Sequence, residues 1–213
     1  MSTIADSLRN VMRTSAQPVA VITTNLSRIK DDDNQYVHGA TLSSFTTVSL
    51  DPPLVAFSLR IPSRLADALT EGNTQNPTQP HFIINILSQK QEVAAAGFAK
   101  PGLPPFPLSA LDEQAAKDKI KGHGDEPHPF TQIATHHSAS TEQPVLVLSE
   151  SIGALACSVI SRHNLQQEHP KQTQNTEGSD LFLAKVHAFE KLNTQENLLP
   201  LIYWNRRFTT IKN

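Results

Sequence analysis

The apolar runs of this chain are short, rich in β-branched residues and bounded by proline or polar turns, and no regular helical interval separates one from the next. Pro18–Thr24, Tyr36–Leu50, Leu54–Arg60, Phe82–Leu87, Val145–Leu148, Ala154–Arg162, Leu181–Phe189, Leu201–Trp204 and Phe208–Ile211 all read as strand segments. Leu155, Cys157 and Val159 alternate in one of them and Phe182, Ala184 and Val186 in another, the period of a sheet with one buried face. Without a βαβ rhythm, such a series predicts a mostly β chain whose antiparallel sheet closes into a small barrel with flanking helices. At 213 residues, 38% of them hydrophobic, there is enough apolar material for one substantial core. No internal repeat or second domain shows, so residues 1–213 are expected to form one domain.

The helices are few. Ile4, Leu8, Val11 and Met12 recur at helical spacing over residues 3–13, with Thr3 as N-cap and Asp6 in the first turn. Ser63 can cap a short helix over Arg64–Leu69, and the polar stretch Thr70–Pro80, with two prolines, is expected to be a loop. Ser88 and Gln91 make a capping box, opening a helix that runs to Phe98. Asn25–Gln35, with Asp31, Asp32 and Asp33 in a row, reads as a hairpin tip, since the spaced carboxylates, glycine and distal Glu of a calcium loop are missing. Residues 100–130 are proline-rich, with one short helical piece near Leu111–Ile120, and belong to an irregular loop of about 100–142. A connection of that length predicts a lid, a binding loop or an oligomer arm. Asn164–Asp180 is a polar, Gln-rich insert expected at a hairpin tip.

Composition removes several function classes. Eighteen basic against twenty acidic residues, without a basic run, give no footprint for nucleic acid or an anionic membrane. No apolar run approaches the roughly 20 residues a membrane helix needs, and no secretory leader is visible. A lone Cys157 fits a reducing compartment. The expected location is cytoplasmic, with the mitochondrial matrix as the alternative because Arg9 and Arg13 sit among Ser and Thr near the start. No Gly-rich nucleotide loop occurs, the histidine spacings match no metal pattern, and Ser43 and Ser44 lack a nucleophile elbow. What remains is Thr41, Ser43, Ser44, Thr46, Thr47 and Ser49, a hydroxyl run followed by Asp51-Pro52-Pro53 and an apolar strand. Such a run suits a flat, polar, anionic ligand, and an ordinary Ser/Thr-rich strand pair accounts for it equally well.

Residues 39–60, GATLSSFTTVSLDPPLVAFSLR, resemble the signature of the flavin reductase-like family of FMN-binding split barrel proteins. The likeness continues through Phe82–Ser88, Ala154–Val159, Leu181–Val186 and the Pro200–Trp204 close with Arg206, Arg207 and Phe208. The resemblance implies an antiparallel Greek-key split β-barrel, a homodimer, and one FMN per subunit, with FAD as the alternative. It implies an NAD(P)H-dependent flavin oxidoreductase in which hydride from reduced nicotinamide reaches flavin N5. Electrons would then pass to free flavin, a partner monooxygenase, iron or oxygen. A non-enzymatic FMN-binding electron carrier is the other reading, because Gly178-Ser179-Asp180 stands where many family members have Gly-Asp-His. By the same resemblance, Thr41, Leu42, Ser43 and Ser44 would face the ring edge, and Leu59, Arg60, Ser63 and Arg64 would hold the ribityl chain and phosphate. Asn85, Ile86 and Leu87 would line the site, Phe98 would close it, and Tyr203 or Trp204 would approach the ring system. No catalytic side chain and no metal ligand is assigned.

Overall fold

The computed structural model describes residues 3–26, 34–75, 78–111, 119–141, 143–166, 178–190, 192 and 197–211. Helix α1 (Ile4–Thr14) is followed by strands β1 (Gln17–Pro18), β2 (Ala20–Leu26), β3 (Tyr36–Leu42), β4 (Thr46–Leu50) and β5 (Pro53–Ile61). Helix α2 (Arg64–Gln75), β6 (Phe82–Ile86) and α3 (Glu92–Phe98) come next, then the short strands β7 (Phe106–Pro107), β8 (Thr135–His137) and β9 (Leu146–Leu148). A long hairpin, β10 (Gly153–Asn164) and β11 (Gly178–Phe189), precedes β12 (Ile202–Trp204) and β13 (Arg207–Thr209).

Eight strands form one sheet in the order β4-β5-β11-β10-β6-β2-β3-β7, antiparallel throughout. One face of six of them meets in a single buried cluster: Ala20 and Ile22, Leu42, Val55 to Leu59, Phe82 and Ile84, Leu155 to Val159, and Phe182 to Val186. Strands that share one interior must be rolled around it, which is the split-barrel arrangement. Phe57 is its hub, stacked on Phe182 at 5.4 Å and edge-on to Phe82 at 6.0 Å. Leu65, Ala66 and Leu69 of α2 plug the interior. The buried Asp180 carboxylate accepts from Arg162 Nε at 2.6 Å, and the same guanidinium reaches the Thr70 hydroxyl, fixing α2 to the β10–β11 hairpin. No described ladder joins β3 to β5, so the roll is completed without a closing ladder among the described residues.

The opposite face of β2, β3 and β6 is covered too. Val19, Val21, Val37 and Leu87 meet Ala94, Ala95 and Phe98 of α3, together with Leu103, Phe106, Phe130, Leu146 and Leu148. Helix α3 approaches β3 closely enough that a Cβ at Gly39 would lie 2.8 Å from the Phe98 ring, so glycine is required there. The proline-rich stretch expected as a lid, a binding loop or an oligomer arm thus supplies part of a second core layer. His128 pins it: Nδ1 accepts from Phe130 N–H and Nε2 faces the Pro104 carbonyl at 3.0 Å, while the ring stacks on Phe130.

Several boundaries differ from the sequence expectation. Helix α2 runs to Gln75 rather than Leu69, since both prolines lie beyond its end and the Thr70 and Thr74 hydroxyls donate back to Ala66 and Thr70 carbonyls. Strands β7 and β8 lie inside the stretch expected to be irregular, and His136 sits in β8 with Nδ1 3.0 Å from the Ser149 hydroxyl. The β10–β11 ladder extends to Asn164 opposite Asp180, consuming both ends of the polar insert. The Asp31–Asp33 tip, most of the helical piece near Leu111–Ile120 and the centre of the insert lie outside the described residues.

Asn85 is the polar exception in β6. It is fully buried, and its amide donates to Val21 O at 3.1 Å and Thr23 Oγ1 at 3.2 Å. Its oxygen accepts from Leu148 N–H at 2.9 Å. It fastens β9 to the outer face of β2 and β6. Replacing Asn85 with Ala removes three buried hydrogen bonds, and should lower unfolding free energy by about 2–4 kcal/mol in urea titrations; a loss below about 0.5 kcal/mol would remove Asn85 from the role of staple.

Candidate functional site

The hydroxyl run lies at the open seam of the rolled sheet. After Leu42 the chain leaves β3, turns through Ser43–Phe45 and enters β4. In that turn, Ser44 Oγ accepts from Ser58 N–H at 3.0 Å and donates to Ser58 O at 3.2 Å, tying the end of β3 to the middle of β5. Two residues further along β5, Arg60 sits opposite Ser179 of β11. Ile61 and Pro62 then lead into Ser63, whose Oγ accepts from Ala66 N–H at 3.4 Å at the start of α2. This one bridge thus joins the hydroxyl turn to the strand that carries Leu59 and Arg60 and leads into Ser63 and Arg64.

The chemistry of the cluster is that of an oxyanion site. Arg60 and Arg64 are exposed, and neither has a carboxylate partner among the described residues. Arg64 opens a twelve-residue helix, whose first-turn N–H groups and dipole also favour an anion. Ser43 is half-buried and Ser44 exposed, so their backbones can be approached from solvent. Two guanidiniums, a helix start and short hydroxyl side chains fit a ligand with a phosphate at one end and a polar edge at the other.

The remaining candidates divide. Thr41 Oγ1 donates to Ala95 O at 2.7 Å, which leaves its backbone rather than its hydroxyl for a ligand. Leu42 and Leu59 point into the interior cluster, and Ile86 packs against its edge. Phe98 is buried over Gly39, with its ring 4.8 Å from Phe130. Two expectations require correction. The Asn85 amide is wholly occupied by β2 and β9, and the Leu87 side chain is sealed in the outer core layer, so neither side chain faces a ligand. Tyr203 packs on the same layer and on Phe208, and the exposed Trp204 donates its indole N–H to Thr14 O at the end of α1.

His38 was not among the expected site residues. Alternation in β3 places it with Ala40 and Leu42, and it is 9% exposed, with Nδ1 buried and unpartnered. Burial first, then the Arg64 charge and the His128 ring, lowers its pKa to about 4. Ser58, the anchor of the hydroxyl turn, was also missed, because register across a seam with no ladder leaves no sequence period.

A family model described as flavin reductase like domain matches residues 12–212. An NADH-dependent flavin reductase of Pseudomonas fluorescens, StyB, is 34% identical over 106 residues, 49% of this chain and 58% of that protein. An NADH-dependent flavin reductase of a Rhodococcus species is 35% identical over 92 residues, 43% of this chain and 46% of that one. The matches thus span only about half the length of these relatives. Among solved structures, the styrene monooxygenase flavin reductase of Pseudomonas putida S12 superposes with TM-score 0.60 at 24% identity, covering 97% of this chain and 98% of the other. Nitrilotriacetate monooxygenase component B of Mycobacterium thermoresistibile gives TM-score 0.63 at 21% identity, covering 98% and 87%.

His38 links the site to pH. Its folded pKa is depressed, so the unfolded chain binds the proton first, and stability is complete above about pH 6.5 and declines toward pH 4. The loss should reach about 3 kcal/mol, and urea midpoints between pH 7 and 4 should fall less steeply in His38→Gln. Equal slopes in the two proteins would show that His38 does not titrate this way.

Proposed function

The chain belongs to the flavin reductase-like family, and on that premise we propose that it is an NADH-dependent flavin reductase that hands reduced flavin to an oxygenase. The observation that carries the reading is the Ser44–Ser58 bridge, which sets the hydroxyl turn beside Arg60 and the start of α2. NADH is chosen over NADPH, and an oxygenase over iron or oxygen, because relatives and structural neighbours bear those names. FMN is favoured over FAD because Arg60, Ser63 and Arg64 form one compact phosphate grip. A cytoplasmic setting accords with this reading.

In this account the Arg60 and Arg64 guanidiniums, with the first-turn N–H groups of α2, neutralise the flavin phosphate. Backbone N–H groups of Thr41 to Ser44 lie against the polar edge of the ring, where hydrogen bonds favour the more negatively charged reduced form. The Ser44 side chain, already spent on Ser58, serves by holding the turn rigid. Bound flavin supplies the two-electron acceptor that nicotinamide chemistry requires. Leu42, Leu59 and Ile86 give the site an apolar floor, Phe98 supports β3 from behind, and Tyr203 and Trp204 flank it from the C-terminal sheet. Asp180, in the position of the family's His, is buried and bonded to Arg162, so this point of β11 offers no imidazole to the nicotinamide side.

We also propose a homodimer. Ile4, Leu8, Val11 and Met12 of α1 are 90%, 61%, 66% and 44% exposed along one face, and none of the described residues covers them. Such a short helix gains most of its stability from tertiary contact, which a second copy would supply. A monomer mass in light scattering would rule this out.

Anaerobic NADH should bleach the flavin absorbance of the loaded protein within minutes; persistent colour would favour an electron carrier over a reductase. Ser63→Ala combined with Arg64→Ala should weaken FMN binding by about 2–4 kcal/mol, through loss of charge-assisted contacts. Unchanged affinity would place the phosphate elsewhere.

A further inference from the structure

A second cavity, of about 300 Å³, opens on the outer face of the β10–β11 hairpin beside the end of α2. Asn73 and Thr78 form one wall, and Ser158, Val159, Ile160, Lys185 and His187 form the other. It is separate from the flavin site. Lys185 lies opposite Leu54 on β5 while Ser179 lies opposite Arg60, and six residues of strand span ~20 Å.

Lys185 and His187 bring donors to it that have no acceptor among the described residues. Ser158 Oγ is 2.8 Å from His187 Nε2. With the hydroxyl donating to Nε2, the ring proton sits on Nδ1, which has no acceptor among the described residues. Burial, and then the Lys185 charge beside it, lowers the His187 pKa and keeps the ring neutral. Lys185 is exposed and has no carboxylate partner among the described residues, and no acidic side chain lines the cavity. Ile160, 49% exposed, supplies the apolar wall, while the Val159 side chain is turned into the interior cluster. The volume lies at the lower end of small-molecule sites, larger than an inorganic oxyanion needs.

We propose that this cavity binds a small organic carboxylate with an apolar body. The carboxylate accepts from Lys185 Nζ, His187 Nδ1–H and the Thr78 hydroxyl, and the body lies against Ile160.

Benzoate serves as the probe and benzyl alcohol as its uncharged counterpart, titrated into the full chain while the His187 imidazole resonances are followed by NMR. His187→Gln assigns those resonances. Benzoate should shift them saturably in the millimolar range, benzyl alcohol should not, and Lys185→Gln should weaken benzoate at least about tenfold. Lys185→Gln should leave FMN affinity unchanged, and Arg60→Ala should leave benzoate binding unchanged, so this site and the flavin reading can fail separately. Equal shifts from both probes, no saturation, wild-type benzoate affinity in Lys185→Gln, or competitive displacement of benzoate by FMN would each overturn the proposal.

Discussion

Everything in this structure follows from rolling one antiparallel sheet around Phe57, Phe82 and Phe182. Alternation gives each of six strands one apolar face, and a sheet with that pattern can bury it only by packing on another layer or by curling on itself. Curling brings β3 and β5, far apart in strand order, to the same seam. Because no ladder bridges that seam, its polar backbone must find other partners, and Ser44 provides them for Ser58. The place where the roll is weakest in hydrogen bonds is therefore the place where backbone groups remain available to a ligand.

Electrostatics sharpen this. Helix α2 plugs the interior with Leu65, Ala66 and Leu69, and the same packing delivers its N-terminus and Arg64 to the seam. Burial and the Arg64 charge both disfavour the charged form of His38, so the ring stays neutral at neutral pH and costs stability only as the pH falls toward 4. A bound phosphate would offset the Arg64 charge. The second core layer, built from α3 and the proline-rich loop, holds β3 from behind through Phe98 and the Thr41–Ala95 bond. Core packing and site geometry thus share residues.

Much of this could be read before the structure. The strand series, the Thr3 N-cap, the Ser88 capping box and the alternation in β10 and β11 follow from local sequence signals, and the structure carries them. The loop's docking could not be read, because Leu103, Phe106 and Phe130 are isolated among prolines and follow no period. The full length of α2 was hidden by its polar second half, whose threonines bond back to the helix rather than break it. Asn85 drew attention for the right reason, a polar residue in an apolar run, but its partner is the backbone of β9, a long-range contact with no local signal. Thr41–Ser44, Arg60 and Arg64 could be named from the resemblance, whereas Ser58 and His38 emerge only when the seam is formed.

The central claim is that the hydroxyl turn and the start of α2 form one flavin cradle. A crystal structure of the protein with FMN tests it most directly. The account predicts density with the ring edge against the backbone of Thr41–Ser44 and the phosphate between Arg60, Ser63 and Arg64. Density for FMN at any other place, with this seam empty, would contradict it.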